Sequence, residues 1–173
     1  MGALYDKLYY MFAEPRVVLV CGLDNAGKTS LLNALQPVQL PTTPTVGFNS
    51  ELVQWGYATF RTFDVCGQDT RRAGWSMFYK HADALVFVVD ANDVSRLYDA
   101  GQQLAAVRQH PDFPHVPILV LANKQDQPRA ATPAQVMRSM RLDKETRPWH
   151  VAGTVLKEHE GIADPFQWLV TQM

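Results

Sequence analysis

The feature that most constrains the fold is an eight-residue segment that directly follows an apolar run near the N-terminus. Residues 22–29 read G-L-D-N-A-G-K-T, and the run before them reads V-V-L-V-C at 17–21. A strand that ends here would pass into a tight loop whose glycines expose backbone N–H groups. The next helix would direct its positive N-terminal end at the same anion. The pattern therefore predicts a strand, a phosphate-binding loop and a helix in succession.

Side chains in this segment indicate how a nucleotide would be held. Lys28 is expected to reach the β- and γ-phosphates, and the hydroxyl of Thr29 is expected to coordinate Mg²⁺. The other predicted nucleotide-binding residues of the loop are Gly22, Asp24, Asn25, Ala26, Gly27 and Ser30.

Length and composition favour a single domain. The chain has 173 residues, of which 47% are hydrophobic, and a formal net charge of −1. This charge gives no general attraction to nucleic acid, so we expect no nucleic-acid partner. We also expect a monomer. Two cysteines without metal-like spacing indicate reduced thiols. No apolar run approaches the roughly 20 residues of a membrane span, and no signal peptide is evident, so we expect a cytoplasmic protein.

Strand and helix patterns alternate along the chain, which predicts an α/β fold with a parallel sheet. Strands are predicted at 16–22, 84–90 and 116–122. Residues 48–55 and 59–65 flank Gly56-Tyr57 and suggest a hairpin that adds an antiparallel edge strand. Helices are predicted at 28–35, 94–109, 133–140 and 163–172, with Thr132 as the N-cap of the third.

The segment D-V-C-G at 64–67 follows the second strand of the hairpin. This position would place the carboxylate of Asp64 opposite the phosphate loop, where it could hold Mg²⁺ through a water. The N–H of Gly67 could approach the γ-phosphate, and Gln68 is the residue type that orients an attacking water. The alternative for Asp64 is a solvated carboxylate in a turn.

The segment N-K-Q-D at 123–126 follows another apolar strand. The carboxylate of Asp126 could accept hydrogen bonds from N1–H and the 2-amino group of guanine, whereas adenine offers neither donor there. Lys124 would lay its aliphatic stem over the base, and Asn123 would tie this loop to the phosphate loop. An ordinary polar turn is the alternative.

Taken together, these motifs resemble those of the ADP-ribosylation factor and Arf-like family of small GTPases, within the Ras superfamily. The resemblance covers essentially the whole chain and rests on G-L-D-N-A-G-K-T, P-T-V-G-F-N at 44–49, D-V-C-G-Q-D at 64–69 and N-K-Q-D. It implies a P-loop NTPase fold with a six-stranded, mostly parallel sheet, one antiparallel edge strand and helices on both faces. It also implies a switch between GDP and GTP with slow hydrolysis, in which Gln68 and Lys28 are catalytic and Thr45 joins Thr29 and Asp64 at Mg²⁺.

The family resemblance also suggests further contacts and partners. Phe48, Phe63 and Phe78 match a hydrophobic triad that contacts effectors, although such aromatics could also be half-buried core residues. Val155-Leu156-Lys157 stands where the last guanine-contacting loop is expected, which puts Leu156 and Lys157 near the base. An exchange factor, a GTPase-activating protein and effector proteins are the implied partners.

Residues 1–15 are predicted to be an amphipathic helix and linker, ahead of a nucleotide-binding domain at 16–173. Leu4, Tyr5, Leu8, Tyr9 and Phe12 form one apolar face. Gly2 meets the first requirement for N-myristoylation, but Asp6 replaces the usual Ser or Thr. The family resemblance implies reversible association with an endomembrane such as the Golgi, in vesicle and protein transport. Alternatively, the helix always covers the domain's own core.

Three functions compete on the sequence. The leading interpretation is a regulatory GTPase. The second is a non-hydrolysing, GTP-loaded interaction module, which two residues leave open. Cys66 replaces a glycine of the usual D-x-G-G-Q motif, and Leu156 is bulkier than the alanine usual in the last guanine-contacting loop. The third is a P-loop kinase for a small metabolite, which would not need N-K-Q-D.

Overall fold

A computed structural model of the chain describes residues 16–35, 52–55, 58–62 and 79–173. One mixed sheet runs through these residues in the order β2-β3-β1-β4-β5-β6. β2 pairs antiparallel with β3, and the other neighbouring pairs are parallel. The strands are β1 (Arg16–Cys21), β2 (Leu52–Trp55), β3 (Ala58–Thr62), β4 (Ala84–Asp90), β5 (Ile118–Asn123) and β6 (Trp149–Thr154).

Four α-helices follow the strands in the described part of the chain: α1 (Lys28–Leu35), α2 (Leu97–Arg108), α3 (Pro133–Ser139) and α4 (Ala163–Gln172). α1 and α4 have their predicted bounds. The helix predicted at 94–109 instead begins with a 3₁₀ turn, Val94–Arg96, and two further 3₁₀ turns are Leu142–Lys144 and Leu156–Glu158. Thr132 is the N-cap of α3, as predicted: its hydroxyl accepts from the Gln135 N–H, and the Gln135 side chain accepts from the Thr132 N–H.

The sheet is covered by helices on both faces, as predicted. Successive strand residues point to opposite faces, so β1, β4 and β5 each contribute to two apolar cores. One core joins strand residues to α2 and α3 through Leu19, Phe87, Val120, Leu104 and Val136. The other joins the alternate strand residues to α1 and α4 through Val20, Val86, Leu121, Leu31 and Phe166. The expected α/β class, with a mostly parallel sheet and helices on both faces, is therefore confirmed.

Sequence patterns predicted most strands but not β6. Of the predicted hairpin, the structure describes strand residues 52–55 and 58–62, and β5 begins two residues later than expected. No residues were assigned to β6, because five of its six residues are only partly buried and the strand forms no continuous apolar run. Its position becomes evident from its parallel pairing with β5, in which Ile118 lies opposite Trp149 and Asn123 opposite Thr154.

Several predictions fall outside the described residues. These are the N-terminal helix with Gly2, the residues Thr45, Asp64, Cys66, Gly67 and Gln68, and the aromatic triad of Phe48, Phe63 and Phe78. Of the two cysteines, Cys21 is described; it is free and buried, and burial raises the pKa of its thiol to about 12. Among the helices described, none has the length and apolar character required to span a bilayer.

Candidate nucleotide-binding site

The carboxyl ends of β1, β4, β5 and β6 lie at one edge of the sheet because these strands are parallel. The chain leaves them at Gly22, Ala91, Lys124 and Val155. In open α/β sheets this edge is where ligands bind. The predicted phosphate loop and the predicted base loop are therefore neighbours in space.

The phosphate loop adopts a backbone that requires glycine at two positions. Gly22 has φ of 147° and Gly27 has φ of 106°. A Cβ on Gly22 would lie 2.2 Å from the carbonyl oxygen of Val88, and one on Gly27 would lie 2.3 Å from Nδ2 of Asn123. Both glycines are therefore needed for close approach to neighbouring elements, as well as for backbone conformation.

Lys28 folds back over this loop at the start of α1. Its ammonium group donates to the carbonyl oxygens of Gly22, at 2.9 Å, and Leu23, at 2.8 Å. Thr29 follows it with an exposed side chain. A tight loop closed by an ammonium group and a helix N-terminus fits a polyphosphate, and a hydroxyl oxygen fits Mg²⁺. The residues present thus suit both ligands.

Asn123 joins three loops from a buried position, with 3% of the residue exposed. Its Nδ2 donates to the Ala26 carbonyl oxygen at 2.9 Å, which confirms the predicted tie to the phosphate loop. Its Oδ1 accepts from the Leu156 N–H at 3.0 Å and from the Thr154 hydroxyl at 3.4 Å. One amide therefore positions the phosphate loop against the segment that follows β6.

Leu156 lies in this third loop, and its side chain is completely buried among the residues that pack under α1. The family resemblance predicts that Leu156 lies near the base. In the structure its side chain lies in the core, and its backbone N–H donates to Oδ1 of Asn123.

Lys124 adopts a left-handed backbone conformation, with φ of 68°. Its ammonium group donates to Oδ2 of Asp90 at 2.6 Å. Oδ1 of Asp90 accepts from the N–H groups of Asn92 and Asp93. The sequence analysis did not include Asp90 among the site residues. The signal that could have revealed it is an acidic residue at the end of an apolar strand. Asp90 anchors the lysine whose stem was predicted to cover a base.

Asp126 is the predicted base-reading carboxylate. Its Oδ2 accepts from Nζ of Lys157 at 2.7 Å and from Nε2 of Gln127 at 2.6 Å. The hydrogen bond from Lys157 lowers the pKa of Asp126, so the carboxylate is ionised at neutral pH and acts only as an acceptor. Lys157 therefore reaches the same corner of the site as Asp126, across 31 residues of sequence.

Arg96 contacts the phosphate loop and was missed by the sequence analysis. Its Nη1 donates to Oδ1 of Asp24 at 2.7 Å, its Nη2 to the Asp24 carbonyl oxygen at 3.3 Å, and its Nε to Oδ2 of Asp93 at 2.7 Å. No local pattern could reveal this contact, because Arg96 and Asp24 are 72 residues apart.

Comparison with known proteins identifies the family of this chain. A model of the ADP-ribosylation factor family matches residues 1–173. ADP-ribosylation factor-like protein 5 of Caenorhabditis elegans is 35% identical over 178 residues, covering 100% of both chains. ADP-ribosylation factor-like protein 1 of Saccharomyces cerevisiae is 35% identical over 171 residues, covering 98% of this chain and 93% of the yeast protein.

The chain belongs to the ADP-ribosylation factor family. Members of this family are small GTPases that bind GTP and GDP, typically with Mg²⁺, and act as regulatory switches. They interact with exchange factors, GTPase-activating proteins and effectors, and they typically associate peripherally with membranes. The family resemblance inferred from the motifs is thereby confirmed.

Within this family framework, the contact between Arg96 and Asp24 leads to a prediction. A carboxylate in a phosphate loop repels a polyphosphate unless a cation neutralises it. We expect Arg96→Ala to speed GDP release by about fivefold, a modest factor because both side chains are partly exposed. The double variant Asp24→Asn/Arg96→Ala should return to within about twofold of the wild-type rate, since no charge is left to neutralise. Release of a fluorescent GDP analogue measures both rates.

Proposed function

We propose that this chain cycles between GDP-bound and GTP-bound states, hydrolyses GTP slowly and recruits effectors during vesicle transport at an endomembrane such as the Golgi. The carrying observation is the hydrogen bonding of Asn123, which joins the phosphate loop, the base loop and the loop after β6. This arrangement supports one nucleotide held at its phosphates and at its base.

Base selection is assigned to the loop at 123–126. The ionised carboxylate of Asp126 accepts from N1–H and the 2-amino group of guanine, and the stem of Lys124 covers one face of the ring. Lys157 and Gln127 hold the carboxylate in place. Adenine would leave a carboxylate facing an acceptor, which is unfavourable.

Hydrolysis is assigned to a water that attacks the γ-phosphorus in line with the bond to the bridging oxygen. That bond breaks, GDP leaves, and the proton of the water passes to the phosphate product. Gln68 orients the water, and Lys28 neutralises charge on the β- and γ-phosphates. Thr29, Thr45 and, through a water, Asp64 would hold Mg²⁺, which supplies further neutralisation.

The pairing of the arginine at the phosphate loop supports slow turnover and the need for an activating protein. Among the described residues, Arg96 is the arginine whose guanidinium contacts the phosphate loop. This guanidinium donates hydrogen bonds to the carboxylates of both Asp24 and Asp93. In the described part of the chain, this arginine is therefore already paired with carboxylates and is not available to stabilise the transition state. An arginine supplied by a partner would accelerate hydrolysis.

Membrane and effector contacts are assigned to segments beyond the described residues. The helix at 1–15, with Gly2 as a lipidation site, would provide two weak membrane signals that together make reversible attachment. Thr45 would report the γ-phosphate, and Phe48, Phe63 and Phe78 would form the surface that effectors contact.

The test is a single-turnover assay on the GTP-loaded protein in Mg²⁺. We expect phosphate release over hours and a decrease of at least about 100-fold in Gln68→Leu, because the water loses its orienting group. Gln102→Leu, the same change on an exposed position of α2, should leave the rate unchanged. Hydrolysis at the wild-type rate in Gln68→Leu would overturn the catalytic assignment. Tight GTP binding without hydrolysis in either protein would instead favour the non-hydrolysing interaction module.

A further inference from the structure

Two large apolar side chains are exposed where the 3₁₀ turn Val94–Arg96 runs into α2. Within the described residues, Val94 and Tyr98 are the large apolar side chains that are mostly exposed, at 55% and 67%. They are four residues apart, a spacing that places them on the same side of a helical turn. Tyrosine is enriched where protein partners bind, because it provides a large rigid contact area with a polar tip. Their clustering marks this end of α2 as a candidate contact surface.

A depression of about 480 Å³ lies beside them. Its walls are Val94 of the 3₁₀ turn, Leu97 at the start of α2, the loop at 128–131, and Gln135, Arg138 and Ser139 of α3. Leu97 and Ala131 are 6% and 5% exposed and form an apolar floor. The depression is preformed, because the Ala131 N–H donates to the Ala91 carbonyl oxygen at 2.7 Å and Nε2 of Gln125 donates to the Ala131 carbonyl oxygen at 3.0 Å.

Two arginines line the depression without a partner. Arg129 and Arg138 are exposed, and neither makes a hydrogen bond or ion pair in the part of the chain that the structure describes. Both guanidinium groups therefore place positive charge at the depression, in a chain whose net charge is −1. This charge is available to an anionic ligand.

We propose that this depression, defined by Val94, Leu97, the 128–131 loop and Arg138, binds an acidic segment of a partner protein. Carboxylates of that segment pair with Arg129 and Arg138, since the guanidinium fork matches a carboxylate. A neighbouring apolar side chain of the segment covers Val94 and the ring of Tyr98. A concave apolar floor between two arginines fits a side chain that inserts, which favours a protein segment over a flat bilayer surface.

The proposed surface is defined by residues 94–98 and 128–138, none of which belongs to the predicted effector triad, so the proposal does not depend on that triad. The fixed backbone of the 128–131 loop also lowers the ordering cost of binding. Binding of such a partner does not require the roles assigned to Gln68 or Asp126. The peptide-binding test can therefore fail independently of the tests of hydrolysis and base preference.

The test uses a random peptide library displayed on phage and selected on the full-length, GDP-loaded protein. Recovered peptides are synthesised, and their Kd values are measured by fluorescence anisotropy. We expect enriched peptides to carry Asp or Glu within a few residues of an apolar side chain. Their affinity should fall at least about tenfold for Arg129→Glu/Arg138→Glu and for Tyr98→Ala. The control Arg141→Glu/Lys144→Glu makes the same charge change on exposed residues outside the depression. It should lower the affinity for the peptides by less than about twofold.

Three results would overturn the proposal. The first is a selection that enriches no peptides, or peptides that bind both double variants equally. The second is binding of the wild-type protein to phosphatidylcholine–phosphatidylserine vesicles that Arg129→Glu/Arg138→Glu abolishes, because the surface would then bind a membrane. The third is concentration-dependent dimerisation that the same variant abolishes, because the occupant would then be a second copy of this chain.

Discussion

Replacing Asn123 with alanine will speed the release of bound guanine nucleotide by at least about 100-fold. The substitution leaves the Ala26 carbonyl oxygen and the Leu156 N–H without their buried partner. Each unpaired buried group costs about 1–3 kcal/mol, and a loss of about 2.7 kcal/mol corresponds to a factor of 100. Thermal unfolding of the same variant should occur at a lower temperature, since the bonds also hold the fold.

Two further variants separate loop coupling from a general loss of stability. Asn123→Asp is nearly isosteric and keeps an acceptor for the Leu156 N–H, but it puts a carboxylate oxygen against the Ala26 carbonyl. It should therefore release nucleotide rapidly even if it remains folded. Asn92→Ala removes the same amide from an exposed position and should match the wild-type protein. Wild-type release from Asn123→Ala would show that this amide does not couple the loops.

Replacing Asp126 with asparagine will reverse the preference between guanine and xanthine nucleotides. In the proposed site the carboxylate would accept from two donors of guanine, whereas an amide would present a donor to the 2-amino group. Affinity for GDP should fall by at least about 100-fold, because a site built around hydrogen bonds rejects a mismatched partner strongly. Xanthine carries an oxygen at position 2, which accepts from the new amide, so binding of xanthosine diphosphate should improve. Competition against a fluorescent GDP analogue measures both affinities.

The control for this experiment is Asp143→Asn, the same change at an exposed position away from the base loop. It should leave both affinities unchanged. Lys157→Ala removes the strongest partner of Asp126 and should weaken GDP binding to a smaller extent, without changing the base preference. Retention of the guanine preference by Asp126→Asn would overturn the assignment of this carboxylate.

Local patterns predicted the elements whose signals are contiguous in sequence. α1 and α4 have their predicted bounds because their ends carry clear signals, and Thr132 caps α3 through a box of neighbouring residues. The tie between Asn123 and the phosphate loop was also predictable. Parallel strands bring their carboxyl ends to one edge, so motifs that follow two such strands must be near each other.

Features that depend on distant residues were missed. β6 is half-exposed and lacks an apolar run, so only its pairing with β5 defines it. The burial of Leu156 under α1 and the pairing of Lys124 with Asp90 likewise join segments that no spacing rule relates. Both of these contacts depend on the direction of a loop side chain, which the periodicity of the sequence does not specify.

The sequence by itself determined the class of fold, the presence of a phosphate loop and the family, because each depends on the order of short motifs along the chain. Only the tertiary structure decided which groups neutralise and orient the loop residues. The contact of Arg96 with Asp24 spans 72 residues, and that of Lys157 with Asp126 spans 31. Coulomb attraction and hydrogen bonding act over a few ångströms of space, whereas a motif records only neighbours along the chain.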